Sequence, residues 1–152
     1  MSASGINMEV ELQNFVQRKE GAVKSIEKLP GDASTRSYYR IQTADQLLVA
    51  MSMEPFADSG KSVPFLSIQQ HLFNNGVDVP KVLDFEPNKG LILLEDLGDI
   101  TLLRRLHEVE TSEVERRYFE KAIDALVRMH VHSGPKFAKG DEAEKIEGFR
   151  LK

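Results

Sequence analysis

Gly31-Asp32-Ala33-Ser34-Thr35-Arg36-Ser37-Tyr38-Tyr39-Arg40 and Gly90-Leu91-Ile92-Leu93-Leu94-Glu95-Asp96-Leu97-Gly98-Asp99 are the two stretches whose reading decides the fold. The first is a turn of small residues that opens into an aromatic-rich run, as a strand leaving a tight loop would read. The second is a fully apolar run that emerges into an acidic, glycine-containing segment. Four consecutive apolar residues bounded by turn signals fit a strand buried on both sides.

Working outward, Val23 to Leu29 alternates imperfectly between apolar and polar and is closed by Pro30-Gly31, which predicts a first strand. Ser37 to Gln42 and Leu47 to Met53 predict two more, joined by a polar turn at Thr43 to Gln46, so the three form an antiparallel meander. From Val63 to Asn74 the apolar residues keep a helical period, with Pro64 in the first turn and Asn75-Gly76 as the stop. Pro80 introduces Lys81 to Phe85, Pro87-Asn88-Lys89-Gly90 reverses the chain, and Leu91 to Leu94 closes a hairpin. Upstream, Met8, Leu12, Phe15 and Val16 mark a short amphipathic lead-in helix that ends near Gly21. Downstream, Asp99 is expected to cap a short helix through Thr101 to Leu106. Ser112 with Glu115 reads as a capping box before a long helix that stops at Gly134-Pro135. The expected class is α+β, a five-stranded antiparallel sheet with a packed helix followed by helices.

Composition removes several function classes. The 152 residues carry a formal net charge of -4, with Lys and Arg scattered, so no basic stripe offers itself to a nucleic-acid backbone. The longest apolar runs fall far short of the roughly 20 residues a spanning helix needs, and no charged-then-apolar leader opens the chain. A cytoplasmic location without membrane contact is the expectation. The absence of cysteine excludes disulfides, thiolate nucleophiles and Cys-based zinc sites. Gly60-Lys61-Ser62 is similar to the end of a Walker A loop, but the earlier glycine of that motif falls at Pro55, whose fixed φ forbids the phosphate-cradling turn. His130 and His132 are two apart on a helix and therefore point to different faces, a poor metal pair.

The order of elements, together with the two quoted segments, resembles the N-terminal lobe of the aminoglycoside phosphotransferase and choline kinase-like family. Within it, the chain is similar to the branch of cell-wall sugar kinases that act on the anomeric hydroxyl of N-acetylmuramate or N-acetylglucosamine. The likeness covers Leu29 to about Ser133. In that branch a Gly-Asp-Ala-Ser-x-Arg-x-Tyr-x-Arg segment lies over the ATP phosphates. The resemblance thus implies phosphate contacts from Gly31, Asp32, Ala33 and Ser34, a hydroxyl from Ser34 or Thr35, and positive charge from Arg36 or Arg40. Small residues there let backbone N–H groups approach phosphate oxygens; a solvated hairpin turn with surface arginines would read the same from the loop alone. By the same resemblance the exit of the buried strand is the adenine hinge, with the Glu95 carbonyl and the Leu97 N–H on the base edge. A strand followed by a helix-capping Asp turn is the plain alternative.

Kinases usually place a lysine on the third strand and pair it with a glutamate on the following helix. Here the strand reads Leu48-Val49-Ala50-Met51-Ser52-Met53 and the helix offers Gln69 and Gln70. The sugar-kinase branch it resembles also lacks that lysine. Phosphoryl transfer further needs an aspartate on the acceptor hydroxyl and acidic or amide ligands for magnesium, which in this family lie in a C-terminal lobe. The tail from Gly134 to Lys152 shows no His-Gly-Asp or Asp-Phe-like run. The expected organisation is a nucleotide-binding lobe over 1–99, a helical segment over 100–134 leading to a missing lobe, and a polar tail over 135–152. The expected role is the ATP-binding half of a phosphotransferase acting on a sugar or aminoglycoside-type hydroxyl, inactive alone, with magnesium only where a C-lobe is present. The alternative is a non-catalytic nucleotide-sensing or protein-interaction module. An apolar face on helix 112–132 is expected to be exposed and to seek a C-lobe partner or a second copy.

Overall fold

The computed structural model describes residues 3–30, 35–56 and 63–133. The chain divides into a first unit drawn from Met1–Ser67 and Pro80–Leu97 and a second from Ile68–Val79 and Gly98–Lys152.

The first unit is an antiparallel sheet of five strands, β1 (Val23–Lys28), β2 (Ser37–Thr43), β3 (Leu47–Ser52), β4 (Val82–Glu86) and β5 (Leu91–Glu95), in the order β1-β2-β3-β5-β4. The expected meander and closing hairpin are both present, and β5 is inserted beside β3. In-register pairs Val49 with Leu94, Ala50 with Leu93 and Met51 with Ile92 form the centre of the sheet. Because side chains alternate across a strand, these pairs feed two cores. Leu48, Ala50, Leu91 and Leu93 join Ile41 on one face under Leu12, Phe15 and Val16 of helix α1 (Ala3–Glu20). Met51, Ile92 and Leu94 pack on the other face with Tyr38, Val49, Phe56 and, from the first turn of helix α2 (Pro64–Asn74), Phe65 and Leu66. Burial on both sides is why β3 and β5 read as continuous apolar runs. The lead-in helix is longer than expected and covers one whole core.

The imperfect alternation of β1 has a local cause. The β1–β2 register shifts between Val23 and Ser25, a bulge that lets Val23 and Ile26 both pack on the α1 core although they differ in parity. The β2–β3 turn is closed by Thr43, buried, whose Oγ1 accepts from the N–H of Gln46 (3.2 Å) and donates to its carbonyl (3.1 Å). Before β5, Pro87–Lys89 form a 3₁₀ turn that ends on Gly90 at φ 63°. The Gly90 carbonyl accepts from Met53 N–H at 2.9 Å, which draws the two backbones together.

The second unit is helical. α2 ends at Gly76 (φ 72°), with Gly76 N–H donating to Phe73 and Val77 N–H to Leu72, both at 3.0 Å. Helices α3 (Leu102–His107) and α4 (Ser112–Ser133) follow. Both expected caps move by one or two residues. Thr101 rather than Asp99 caps α3, its Oγ1 accepting from Arg104 N–H at 3.2 Å. Thr111 rather than Ser112 opens α4, accepting from Val114 N–H at 3.4 Å, so Ser112 is already inside the first turn. Threonine serves both sites because its hydroxyl reaches the N3 amide. Phe119, Ile123, Leu126, Val127 and Val131 on α4 are exposed. Among the described residues no helix is long and apolar enough to cross a membrane.

Candidate nucleotide site

Two ends of the sheet chemistry meet in the first unit. Pairing of β1 with β2 runs up to Lys28 opposite Tyr39 and is extended by Leu29 N–H donating to the Tyr38 carbonyl at 2.9 Å. Leu29 and Tyr38 are described residues that flank the expected phosphate loop. Gly31, Asp32, Ala33 and Ser34 lie outside the described residues, as do Gly60, Lys61 and Ser62. Thr35 is exposed at the entry to β2. The Arg36 guanidinium stacks over the Phe65 ring, 5.7 Å from its centroid, a cation–π contact that ties the loop's end to the start of α2.

Arg40, the second expected loop cation, is four residues further along, within β2. Its Nε donates to Asp96 Oδ2 at 2.6 Å and its Nη2 to Oδ1 at 3.1 Å, a bidentate pair whose side chains are 16% and 4% exposed. The structure thus brings Arg40 to the strand exit that carries Glu95 and Leu97. Glu95 is held twice by Lys81: its N–H donates to the Lys81 carbonyl at 2.9 Å, and its carboxylate accepts from Lys81 N–H at 3.2 Å. One residue past Asp96, Leu97 is 66% exposed, and among the described residues its backbone N–H makes no hydrogen bond. Gly98 follows at φ 83°, turning the chain.

Between these parts runs the apolar sheet face of Val49, Met51, Ile92 and Leu94. β3 carries no lysine on this face; Met51 stands opposite Tyr38 on one side and Ile92 on the other. This face provides no charge; Met51 and Ile92 are fully buried, packed with Tyr38, Phe56, Phe65 and Leu66, while Val49 is half-buried. Among the described residues no cluster of three or more His, Asp or Glu is arranged to hold a metal ion. Asp96 stands in the quoted hinge segment, but the sequence reading gave it no partner and no role beyond the alternative of a capping turn. Its parity with Leu94 was visible, but its meeting with Arg40 depends on β5 lying beside β3.

Residues 25–150 match the phosphotransferase enzyme family. The chain belongs to that family. Its relatives include N-acetylmuramate/N-acetylglucosamine kinases from Pseudomonas aeruginosa, 37% identical over 74% of this chain and 32% of the relative, and from Caulobacter vibrioides, 31% identical over 76% of this chain and 38% of the relative. A third, from Neisseria meningitidis, is 31% identical over 64% of this chain and 28% of its own length. The chain spans about a third of the length of these kinases. The phosphotransferase match takes in every strand from Ser25 onward, including both candidate segments.

Proposed function

We propose that this chain is the ATP-binding half of a kinase that phosphorylates a hydroxyl of an amino sugar of the N-acetylmuramate or N-acetylglucosamine type. The observation that carries the reading is the exit of β5. Four buried apolar residues run into a turn where Leu97 presents its N–H unpaired among the described residues. In this reading the Glu95 carbonyl accepts from the amino group of adenine and the Leu97 N–H donates to the ring nitrogen beside it. Val49 and Leu94 cover one face of the base, and the Gly31–Ser34 backbone receives the phosphates. Residues 1–99 form the nucleotide-binding lobe, and residues 100–134 lead toward a second lobe.

Binding and orientation are what this lobe would contribute; the transfer step needs an aspartate to orient the acceptor hydroxyl and ligands for magnesium. No His-x-Asp run occurs in the 152 residues. The chain alone is therefore assigned nucleotide binding without turnover. The apolar face of α4 favours a second surface in contact with protein, in the first instance a C-terminal lobe. A non-catalytic module that keeps the fold and uses the same face for another partner is the competing reading.

Complementation separates the two. The chain is mixed with the C-terminal two thirds of the Pseudomonas aeruginosa kinase, and ATP-dependent phosphorylation of N-acetylmuramate is followed. Phosphorylated sugar from the mixture, and from neither part alone, is the expected result. A mixture that associates and binds ATP yet forms no product would support the module instead.

A further inference from the structure

Arg40 and Asp96 come from strands that are not neighbours. β2 and β5 each pair with β3, so two inter-strand steps of about 4.8 Å separate their backbones. Arg40 stands opposite Val49, Val49 stands opposite Leu94, and Asp96 lies two residues beyond Leu94 on the same side of the chain. The guanidinium thus reaches across β3 to grip a carboxylate just past the end of β5. Both oxygens of that carboxylate are engaged, and it is almost wholly buried. A planar, two-point contact fixes direction as well as distance.

Asp96 is the residue between the Glu95 carbonyl and the Leu97 N–H. Locking its side chain constrains the two peptide units on either side of its Cα, which carry those two groups. We infer that Arg40 is a positioning residue for the nucleotide base: through Asp96 it sets the backbone that reads adenine, and it does not serve as a phosphate ligand. The inference rests on the nucleotide reading above and names a specific role within it. It also gives a mechanical link between the strand leaving the phosphate loop and the hinge, because Arg40 belongs to β2.

The test uses the whole chain and three variants, Arg40→Ala, Arg40→Lys and Asp96→Asn, together with the Arg40→Ala/Asp96→Asn double variant. Amide hydrogen exchange is measured without ligand, and affinities are measured for adenosine, ATP and inorganic tripolyphosphate. Exchange at Glu95, whose N–H is hydrogen-bonded to the Lys81 carbonyl beside Asp96, should accelerate by about tenfold or more while the amides at the centre of β3 and β5 keep their rates, which also shows that the variants fold. Adenosine and ATP affinity should fall by the same factor, on the order of tenfold, with tripolyphosphate unchanged and the double variant no worse than the singles. Arg40→Lys, which keeps charge and loses the two-point grip, should behave like Arg40→Ala.

The opposite pattern overturns the inference: tripolyphosphate and ATP binding weakened in Arg40→Ala, adenosine binding intact, and tripolyphosphate affinity retained in Arg40→Lys. Unchanged exchange at Glu95 overturns it as well. A wild-type chain that binds neither adenosine nor ATP defeats the nucleotide reading and the positioning role with it, and the exchange rates then show whether the grip itself exists.

Discussion

Gly90 carries the sharpest demand on a single residue. It sits at φ 63°, and a Cβ there would lie 2.0 Å from the Met53 carbonyl oxygen, a backbone atom that cannot swing aside. Gly76 has a similar φ of 72° with nothing within 4 Å of its Cβ position. Gly76→Ala should cost about 1 kcal/mol, the strain of a left-handed alanine. Gly90→Ala should cost roughly 3 kcal/mol or more, since the β3–β5 connection must also part. Urea unfolding midpoints of the two variants check the difference, and equal losses would refute it. Arg40 shows how far the sequence reaches at this scale. The residue was legible as important from its place in a Gly-Asp-Ala-Ser-x-Arg-x-Tyr-x-Arg segment; its partner was not, because a contact 56 residues away depends on which strands are neighbours.

Among elements, α1 was read least well. Its apolar spacing was plain, yet nothing local says that a helix lies over a sheet, so a core element looked like a lead-in. Leu12, Phe15 and Val16 are fully or almost fully buried. At its C-terminal end Lys19 reaches Asp84 at 2.9 Å and Arg18 reaches Glu86, which anchors the helix to edge strand β4. Leu12→Ala should cost about 3 kcal/mol through lost burial and a cavity, whereas Arg18→Ala should cost under about 1 kcal/mol because the pair is largely solvated. Thermal unfolding of both variants tests the ranking; a larger loss for Arg18→Ala would show that charge rather than packing holds α1. The strands were easier to read, because two-sided burial and turn chemistry are written locally. Caps were placed one or two residues off: Asp99 and Ser112 are good capping types, and only geometry shows that Thr101 and Thr111 hold the positions.

For the molecule as a whole, the two units make different demands. The sheet unit closes its own cores, while α4 leaves Phe119, Ile123, Leu126 and Val127 on the surface. Such a face should associate with itself when no other protein covers it. Light scattering should show mass rising with concentration, and Phe119→Glu with Ile123→Glu should restore a monomer without altering ATP affinity. A monomer at all concentrations in the unmodified chain would contradict this. The family was legible from two short segments because they specify backbone shape, and the acceptor was not, because neither segment carries a side chain whose chemistry names one. The account stands on the β5 exit reading a nucleotide base. Its most direct measurement is a titration of the isotopically labelled chain with ATP, following amide resonances. Saturable shifts at Glu95 to Gly98, led by the Leu97 N–H, with smaller ones along β2, are predicted; Leu97 resonances that stay in place at millimolar ATP would contradict it.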